Sequence, residues 1–321
     1  MEPLIVTNEQ AIGAVDIGGT KIAAGIVDAN GCLLAYRETP TAAHEGFGAA
    51  MDRVHAMLND AIRSADVELC GIGIGCTGPV DPVSGAIGAV EFLPGWKSCN
   101  PVGCLAEMFK LQVAMENDAD AAALAEAEWG AGRNRRSVIC VMVGTGIGAG
   151  IVLDGSLYRG AAGSHPEIGH HVIDCSGPKC FCGANGCWEV LARGPAMEDR
   201  MRNRMPAGGP AENPLTAKKI CELARVGDPV AKREIEREGH YLGIGVANLV
   251  TLFAPEVIVL GGNVMLSADL FMPTIQATVQ QNCGLVDSKA TTITSTSLGS
   301  GAPLIGAAAV WRRRFEGARA S

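Results

Sequence analysis

Three cysteines and a nearby group of histidines carry the most specific chemistry in the sequence. Cys180, Cys182 and Cys187 lie in the run Cys180-Phe181-Cys182-Gly183-Ala184-Asn185-Gly186-Cys187, and His165, His170 and His171 share a short window upstream of it. Three thiolates and one imidazole satisfy a tetrahedral zinc ion with no open position, which is a structural site and not a water-activating one. Spacing alone leaves open which histidine is the fourth ligand, and leaves Cys175 as a further candidate.

A second set of residues suits phosphate. In Asp16-Ile17-Gly18-Gly19-Thr20-Lys21 the glycines let backbone N–H groups approach an anion, Thr20 offers a hydroxyl and Lys21 a charge. Asp16, at a strand end, could hold Mg²⁺ directly or through water. The sequence has no GxxxxGK[ST], so this is not a P-loop. Gly73-Ile74-Gly75-Cys76-Thr77-Gly78 fits GxGxxG, but Pro79 and Asp81-Pro82 stand where a dinucleotide-binding helix would begin, which argues against that function. Glu116-Asn117-Asp118-Ala119-Asp120 opens an Ala-rich helix. An Asp there ordinarily complements the helix dipole; the functional alternative is a general base kept ionised by that dipole. Gly261-Gly262-Asn263 reads either as an ordinary strand-to-helix turn or as a surface that adenosine can approach closely.

The elements that must position these residues follow from pattern. Residues 12–17 and 22–27 read as strands about a Gly/Thr turn, and Asn30-Gly31 as a hairpin turn. Phe47, Met51, Val54, Leu58 and Ile62 recur at helical spacing across 47–66, and 67–74 reads as a strand. A helix over 117–129 takes Asn117 as its N-cap and stops at Gly130. Residues 137–143, 150–153 and 257–260 read as strands, and 217–225, 229–253 and 303–314 as helices. Gly19-Thr20-Lys21-Ile22-Ala23-Ala24-Gly25-Ile26-Val27 repeats as Gly144-Thr145-Gly146-Ile147-Gly148-Ala149-Gly150-Ile151-Val152, with seven of nine positions identical. A duplicated strand–turn–strand predicts two lobes, each with a Gly/Thr turn facing a shared cleft.

Length and composition fit that picture. At 321 residues the chain exceeds an average domain, and 48% hydrophobic with 19% charged residues is globular composition. A net charge of −8 argues against nucleic acid as partner, and the basic run Arg312-Arg313-Arg314 reads as a solvated helix end. The first ten residues lack the charge pattern of a signal peptide, and the longest low-charge run, 138–153, is too short for a bilayer span. These features predict a cytoplasmic protein whose twelve cysteines are reduced thiols or metal ligands.

Together the motifs resemble the ROK family (repressors, uncharacterised reading frames and kinases of sugars), and its bacterial glucokinases in particular, across residues 12–314. The family's zinc signature is matched by Glu167-Ile168-Gly169-His170, followed by Cys180-x-Cys182-Gly183-x-x-Gly186-Cys187-x-Glu189. The resemblance implies His170, Cys180, Cys182 and Cys187 as ligands of one structural Zn²⁺. It implies Asp118 as catalytic base, with Asn117, Glu167, His170 and Glu189, besides Thr77 and Gly78, at the sugar. ATP with Mg²⁺ would meet phosphate turns formed by Asp16, Gly18, Gly19, Thr20 and Lys21 and by Gly144, Thr145 and Gly146, with Gly261 and Gly262 at adenosine. The implied fold is α/β and actin/hexokinase-like, with duplicated ribonuclease-H-like lobes: a small lobe of residues 1–116 plus 303–321 and a large lobe of 117–302. A homodimer or a dimer of dimers is implied as well. Two positions depart from the pattern: Phe92 stands where glucokinases often carry the Asn of an Asn-x-Pro-Gly-Trp loop, and Pro166 replaces the usual Gly before Glu167.

The expected activity is therefore transfer of the ATP γ-phosphate to a hexose, with the 6-hydroxyl of glucose as first choice. Fructose, mannose, N-acetylglucosamine or N-acetylmannosamine is the alternative acceptor, given Phe92 and Pro166. A non-catalytic sugar sensor would not need Asp118. A repressor of this family would need a DNA-binding helix-turn-helix, for which the eleven residues before the expected first strand are too few.

Overall fold

The computed structural model of the chain describes residues 11–204 and 215–316. In chain order its elements begin with β1 (Ala11–Ile17), β2 (Lys21–Val27), β3 (Leu33–Pro40), α1 (Phe47–Ala65), β4 (Leu69–Cys76), β5 (Val80–Asp81) and β6 (Ala86–Ile87). Next come α2 (Pro101–Phe109), β7 (Val113–Asn117), α3 (Asp118–Glu128), β8 (Val138–Val143), β9 (Ile147–Leu153) and β10 (Ser156–Leu157). The remainder is α4 (Trp188–Ala192), α5 (Gly194–Arg202), α6 (Ala217–Arg225), α7 (Pro229–Phe253), β11 (Val257–Gly261), α8 (Ala268–Asn282), β12 (Thr292–Ser295) and α9 (Ala302–Phe315). No helix among the described residues is long and apolar enough to cross a membrane.

The chain forms two compact units, one running to Asn134 and resuming at Gly301, the other spanning Arg135–Ser300. The first is built on a sheet of order β3-β2-β1-β4-β7 and the second on one of order β10-β9-β8-β11-β12. Each sheet opens with an antiparallel meander of three strands and adds its last two strands in parallel. Numbered within each unit, the order is 3-2-1-4-5 twice, so the expected duplication of a ribonuclease-H-like sheet is what the chain adopts. The repeated sequence is the first hairpin of each copy. Its turns differ, however: Ile17 pairs with Ile22, but Val143 with Ile147, leaving residues 18–21 in the first turn and only 144–146 in the second. By strand position the counterpart of Asp16 is therefore Met142, and only the first turn has a carboxylate on the strand that leads into it.

Burial follows the apolar patterns. On α1, Met51, Val54 and Leu58 are fully buried against the first sheet, as the helical spacing predicts. Six of the eleven residues of α3 are alanine, and its partner α9 carries Gly306 and the run Ala307-Ala308-Ala309, all buried. Small side chains let the two backbones approach: a Cβ on Gly306 would overlap the carbonyl of Ala121. Helix α9 also lies on β4, where a Cβ on Gly73 would overlap the Ala307 carbonyl and one on Gly71 the Trp311 indole. The expected lobe division after residue 116 would separate α3 from α9; this packing keeps α3 in the first unit. Strand β7, β12 and helices α2, α4, α5 and α8 were not legible from pattern. Helix α8 carries an internal Pro273, which hides its periodicity.

The α9 contact has a measurable consequence. Gly73→Ala should push α9 off β4 and cost at least the roughly 1–3 kcal/mol typical of overpacking. A urea denaturation midpoint equal to that of the wild type would refute this account of the packing.

Candidate functional site

In the first unit the parallel register of β1, β4 and β7 aligns Asp16 with Gly75, and Gly75 with Glu116. Because Gly75 has no side chain, space remains above β4. A Cβ there would lie 3.7 Å from an Asp16 carboxylate oxygen and 3.7 Å from the Asp118 Cα. Asp118 opens α3, and Asn117 caps it by accepting the Ala119 N–H at 2.9 Å, while Asp118 Oδ1 accepts the same N–H at 2.8 Å. Asp16 and Asp118 are close enough to feel each other. Burial, then repulsion from Asp118, pushes the Asp16 carboxyl up to about 7, against a smaller opposing pull from Lys21. The Cys76 thiol is likewise driven up by burial and by both aspartates. A carboxylate in this condition favours a counter-cation, so Asp16 fits the role of a Mg²⁺ partner.

The first glycine turn is held from outside the motif. Gly18 N–H donates to the Lys21 carbonyl at 3.0 Å. Thr41, fully buried, donates its hydroxyl to the Gly18 carbonyl at 2.6 Å and its N–H to the Thr20 carbonyl at 2.9 Å. Arg53 in turn donates to the Thr41 carbonyl at 2.6 Å. Neither Thr41 nor Arg53 has a sequence signal, since both lie more than twenty residues from the turn they support. Lys21 does not reach over the turn: its ammonium bonds Glu38 at 3.0 Å, an ion pair that Tyr36 also joins. Phe92, expected in the sugar loop, rests on the phosphate turn, and a Cβ on Gly19 would lie 2.5 Å from the Phe92 Cβ. Thr77 N–H donates to the Ile17 carbonyl at 2.9 Å, and a Cβ on Gly78 would come within 2.7 Å of Asn117 Nδ2. Asp16, Thr77, Gly78, Asn117 and Asp118 are thus grouped at the ends of β1, β4 and β7.

In the second unit Gly144, Thr145 and Gly146 form the tighter turn, closed by Gly144 N–H to the Gly146 carbonyl at 2.9 Å. The Gly144 carbonyl accepts the Gly194 N–H at 2.9 Å from the start of α5. Arg200, further along α5, fixes that helix to α7 through Glu234 at 3.1 Å and through Glu238, both glutamates being fully buried. Gly261 ends β11, and Gly262 adopts a positive φ of 89° with no room for a side chain against Val143. The predicted adenosine turn thus abuts the end of β8, next to the second glycine turn.

His170, Cys180, Cys182 and Cys187 gather so that their ligand atoms all lie within 4.8 Å of one another. A zinc ion bound by thiolates at about 2.3 Å separates them by roughly 3.8 Å, so the cluster fits the ion. His170 Nδ1 is 3.5 Å from the Cys180 sulfur, and the Cys182 and Cys187 sulfurs are 3.4 Å apart. The Ala184 N–H and the Cys187 thiol pull Cys182 below the usual thiol range, whereas burial and its sulfur neighbours push Cys187 up to about 12. Of the candidates that spacing left open, His170 is the one in the cluster: His165 and Cys175 are outside it, and His171 bonds the Ile168 carbonyl at 2.6 Å and packs on Trp188. Glu167 is exposed. Glu189 is nearly buried and accepts the Ile147 N–H at 2.9 Å.

The duplicated sheet, glycine turns and Cys/His cluster together define one protein class, and sequence comparison agrees: the ROK family profile matches residues 12–314, and the chain belongs to that family. It is similar to a glucokinase of Streptomyces coelicolor, at 33% identity over 92% of this chain and 95% of that protein. A xylose repressor of Bacillus spizizenii is 30% identical over 83% of this chain and 66% of its own length. Among solved structures, a ROK glucokinase from Streptomyces griseus, determined with glucose and AMPPNP, superposes with a TM-score of 0.80 at 32% identity, covering 93% of this chain and 98% of that one. The fold is the actin/hexokinase-like one.

The Asp16 environment predicts a pH dependence. Its carboxyl titrates near 7 when folded, against 3.8 without the fold, so the folded state holds an extra proton between those values. The associated stability is present below about pH 4 and lost as pH rises through about 7. Asp16→Asn should match the wild type near pH 4 and become the more stable of the two as pH rises, levelling off above pH 8. Thermal melts in metal-free buffer across this range test it, and a difference constant with pH would exclude Asp16 as the group.

Proposed function

We propose that this sugar kinase of the ROK family transfers the γ-phosphate of ATP to a hexose, with glucose and its 6-hydroxyl as the preferred acceptor, in the cytoplasm and as a homodimer or a dimer of dimers. The observation that carries the reading is the pairing of Asp118 with Asp16 around Gly75, beside the first glycine turn. Asp118 would accept the proton of the sugar hydroxyl; its place at the start of α3 favours the ionised form through the helix dipole. Asn117, Thr77, Gly78, Glu167, His170 and Glu189 would contact the sugar. Backbone groups of residues 18–21 and 144–146 would receive the ATP phosphates, and Gly261-Gly262 the adenosine. Mg²⁺, held with the help of Asp16, would neutralise charge on the phosphates. Zinc on His170, Cys180, Cys182 and Cys187 would hold the loop that carries Glu167 and Glu189.

The second reading is a kinase of mannose, fructose or an N-acetylhexosamine. Phe92 favours it, because an aromatic ring packed on Gly19 replaces a polar group that could have bonded a sugar hydroxyl. One such bond is worth about 0.5–1.5 kcal/mol, enough to reorder related hexoses without abolishing transfer. A coupled spectrophotometric assay over a hexose panel decides between them; a glucose kcat/KM a thousandfold below that of another sugar would overturn the glucokinase assignment. A sugar-sensing regulator is disfavoured by the paired aspartates, which binding alone does not require.

Two further outcomes are expected. Asp118→Asn should fold normally, since Asn is tolerated at a helix start, yet lose on the order of 10² or more in kcat. Near-normal turnover would remove Asp118 from the role of base. Metal analysis should find about one zinc per chain, as one closed four-ligand site requires. Cys180→Ser should lose that zinc and raise the sugar KM, and full activity in a zinc-free variant would disprove a role for the metal.

A further inference from the structure

The two ends of the metal-binding segment converge on a single residue, Ile147, which directly follows the second glycine turn. From one side Glu189 Oε2 accepts the Ile147 N–H at 2.9 Å, and it lies so near Gly146 that a Cβ there would be 2.6 Å from it. From the other side Gly169 packs on the Ile147 carbonyl with no space for a methyl group. Each of these clamping residues is covalently close to a cluster ligand: Gly169 precedes His170, and Glu189 follows Cys187 by two positions. The intervening segment is tied at its ends as well, by the Val172–Cys187 bridge and by Trp188 N–H to the His171 carbonyl at 2.9 Å. Trp188, between Cys187 and Glu189, is fully buried and donates its indole N–H to the Tyr241 carbonyl at 3.0 Å on α7. Glu189 is therefore held rigidly, and its reach toward the turn is built in.

We propose that Glu189 and Gly169 are positioning residues for the second glycine turn, so that the Cys/His segment sets the affinity for the nucleotide's phosphates as well as for the sugar. The inference rests on the kinase reading and adds a coupling to it. A carboxylate beside a phosphate turn would repel the ligand if its charge were what mattered. Its use here is as an acceptor that fixes the Ile147 N–H and hence the path of residues 144–146. Gln supplies the same acceptor without the charge, whereas Ala and Asp do not reach.

The test is calorimetric titration of Mg·AMPPNP into the zinc-loaded protein without sugar, with sugar KM measured separately. Glu189→Ala and Gly169→Ala should each weaken AMPPNP binding at least about fivefold, the scale of losing one good hydrogen bond. Glu189→Gln should bind AMPPNP within about twofold of the wild type while still raising the sugar KM. Glu189→Asp replaces Glu189→Ala should the latter not fold, and is expected to weaken AMPPNP equally. Unchanged AMPPNP affinity in Gly169→Ala and in either Glu189 variant, with only sugar KM affected, would overturn the coupling and leave the kinase reading intact. Failure of the wild type to phosphorylate any hexose would instead defeat the kinase reading itself.

Discussion

The parallel pairing of β1 with β4 and of β4 with β7 governs the chemistry of the first unit. It fixes which residues end the strands side by side, and in this register a glycine falls between two acidic positions. A side chain at 75 would stand over β4 in contact with an Asp16 carboxylate oxygen and with the start of α3 at Asp118. The same pairing explains the raised Asp16 carboxyl, since strand ends crowded by a helix start shield the group from water while placing a like charge nearby. Everything that supports this corner serves the register: α3 is pressed down by α9, and the glycine turn is braced by Thr41 and Arg53.

Duplication supplied the second sheet but not a second copy of the chemistry. The strand orders are the same, while the second turn is one residue shorter and has Met142 at the position of Asp16. The first unit keeps the charged groups. In the second, the place of a carboxylate from the strand is taken by one from α4, Glu189, which reaches its turn from a different direction. Divergence thus altered which element supplies the acid, not the backbone that surrounds it.

Much of this was legible in the sequence because it rests on local chemistry. Asn117 as a cap, the 229–253 helix and the Cys/His cluster each depend on residues near one another in the chain, and each formed as expected. Which histidine joins the three cysteines was implied by the family signature and then seen in the geometry, because spacing alone fitted three candidates. What pattern could not reveal were supports from afar. Thr41 bonds a turn more than twenty residues earlier, and α3 belongs with α9 across the whole second unit. The GxGxxG stretch ends β4 and leads into β5 instead of a helix, and the contacts of its first two glycines, Gly73 against α9 and Gly75 beside Asp16 and the start of α3, have no signature of their own.

The tight seam between α3 and α9 also bears on how the chain acquires its structure. The first unit is interrupted: between its two pieces the entire second unit is inserted. On a ribosome, β1 to α3 emerge early, but the helix that covers β4 and the alanine face of α3 follows only after Ser300. Closing that contact joins segments separated by well over a hundred residues, the kind of long-range step that slows assembly. The second unit, continuous in sequence, can complete its sheet first. The helix bearing Asp118 is consequently among the last parts to be secured, and the nascent first unit must keep a glycine- and alanine-lined face uncovered until the final helix arrives.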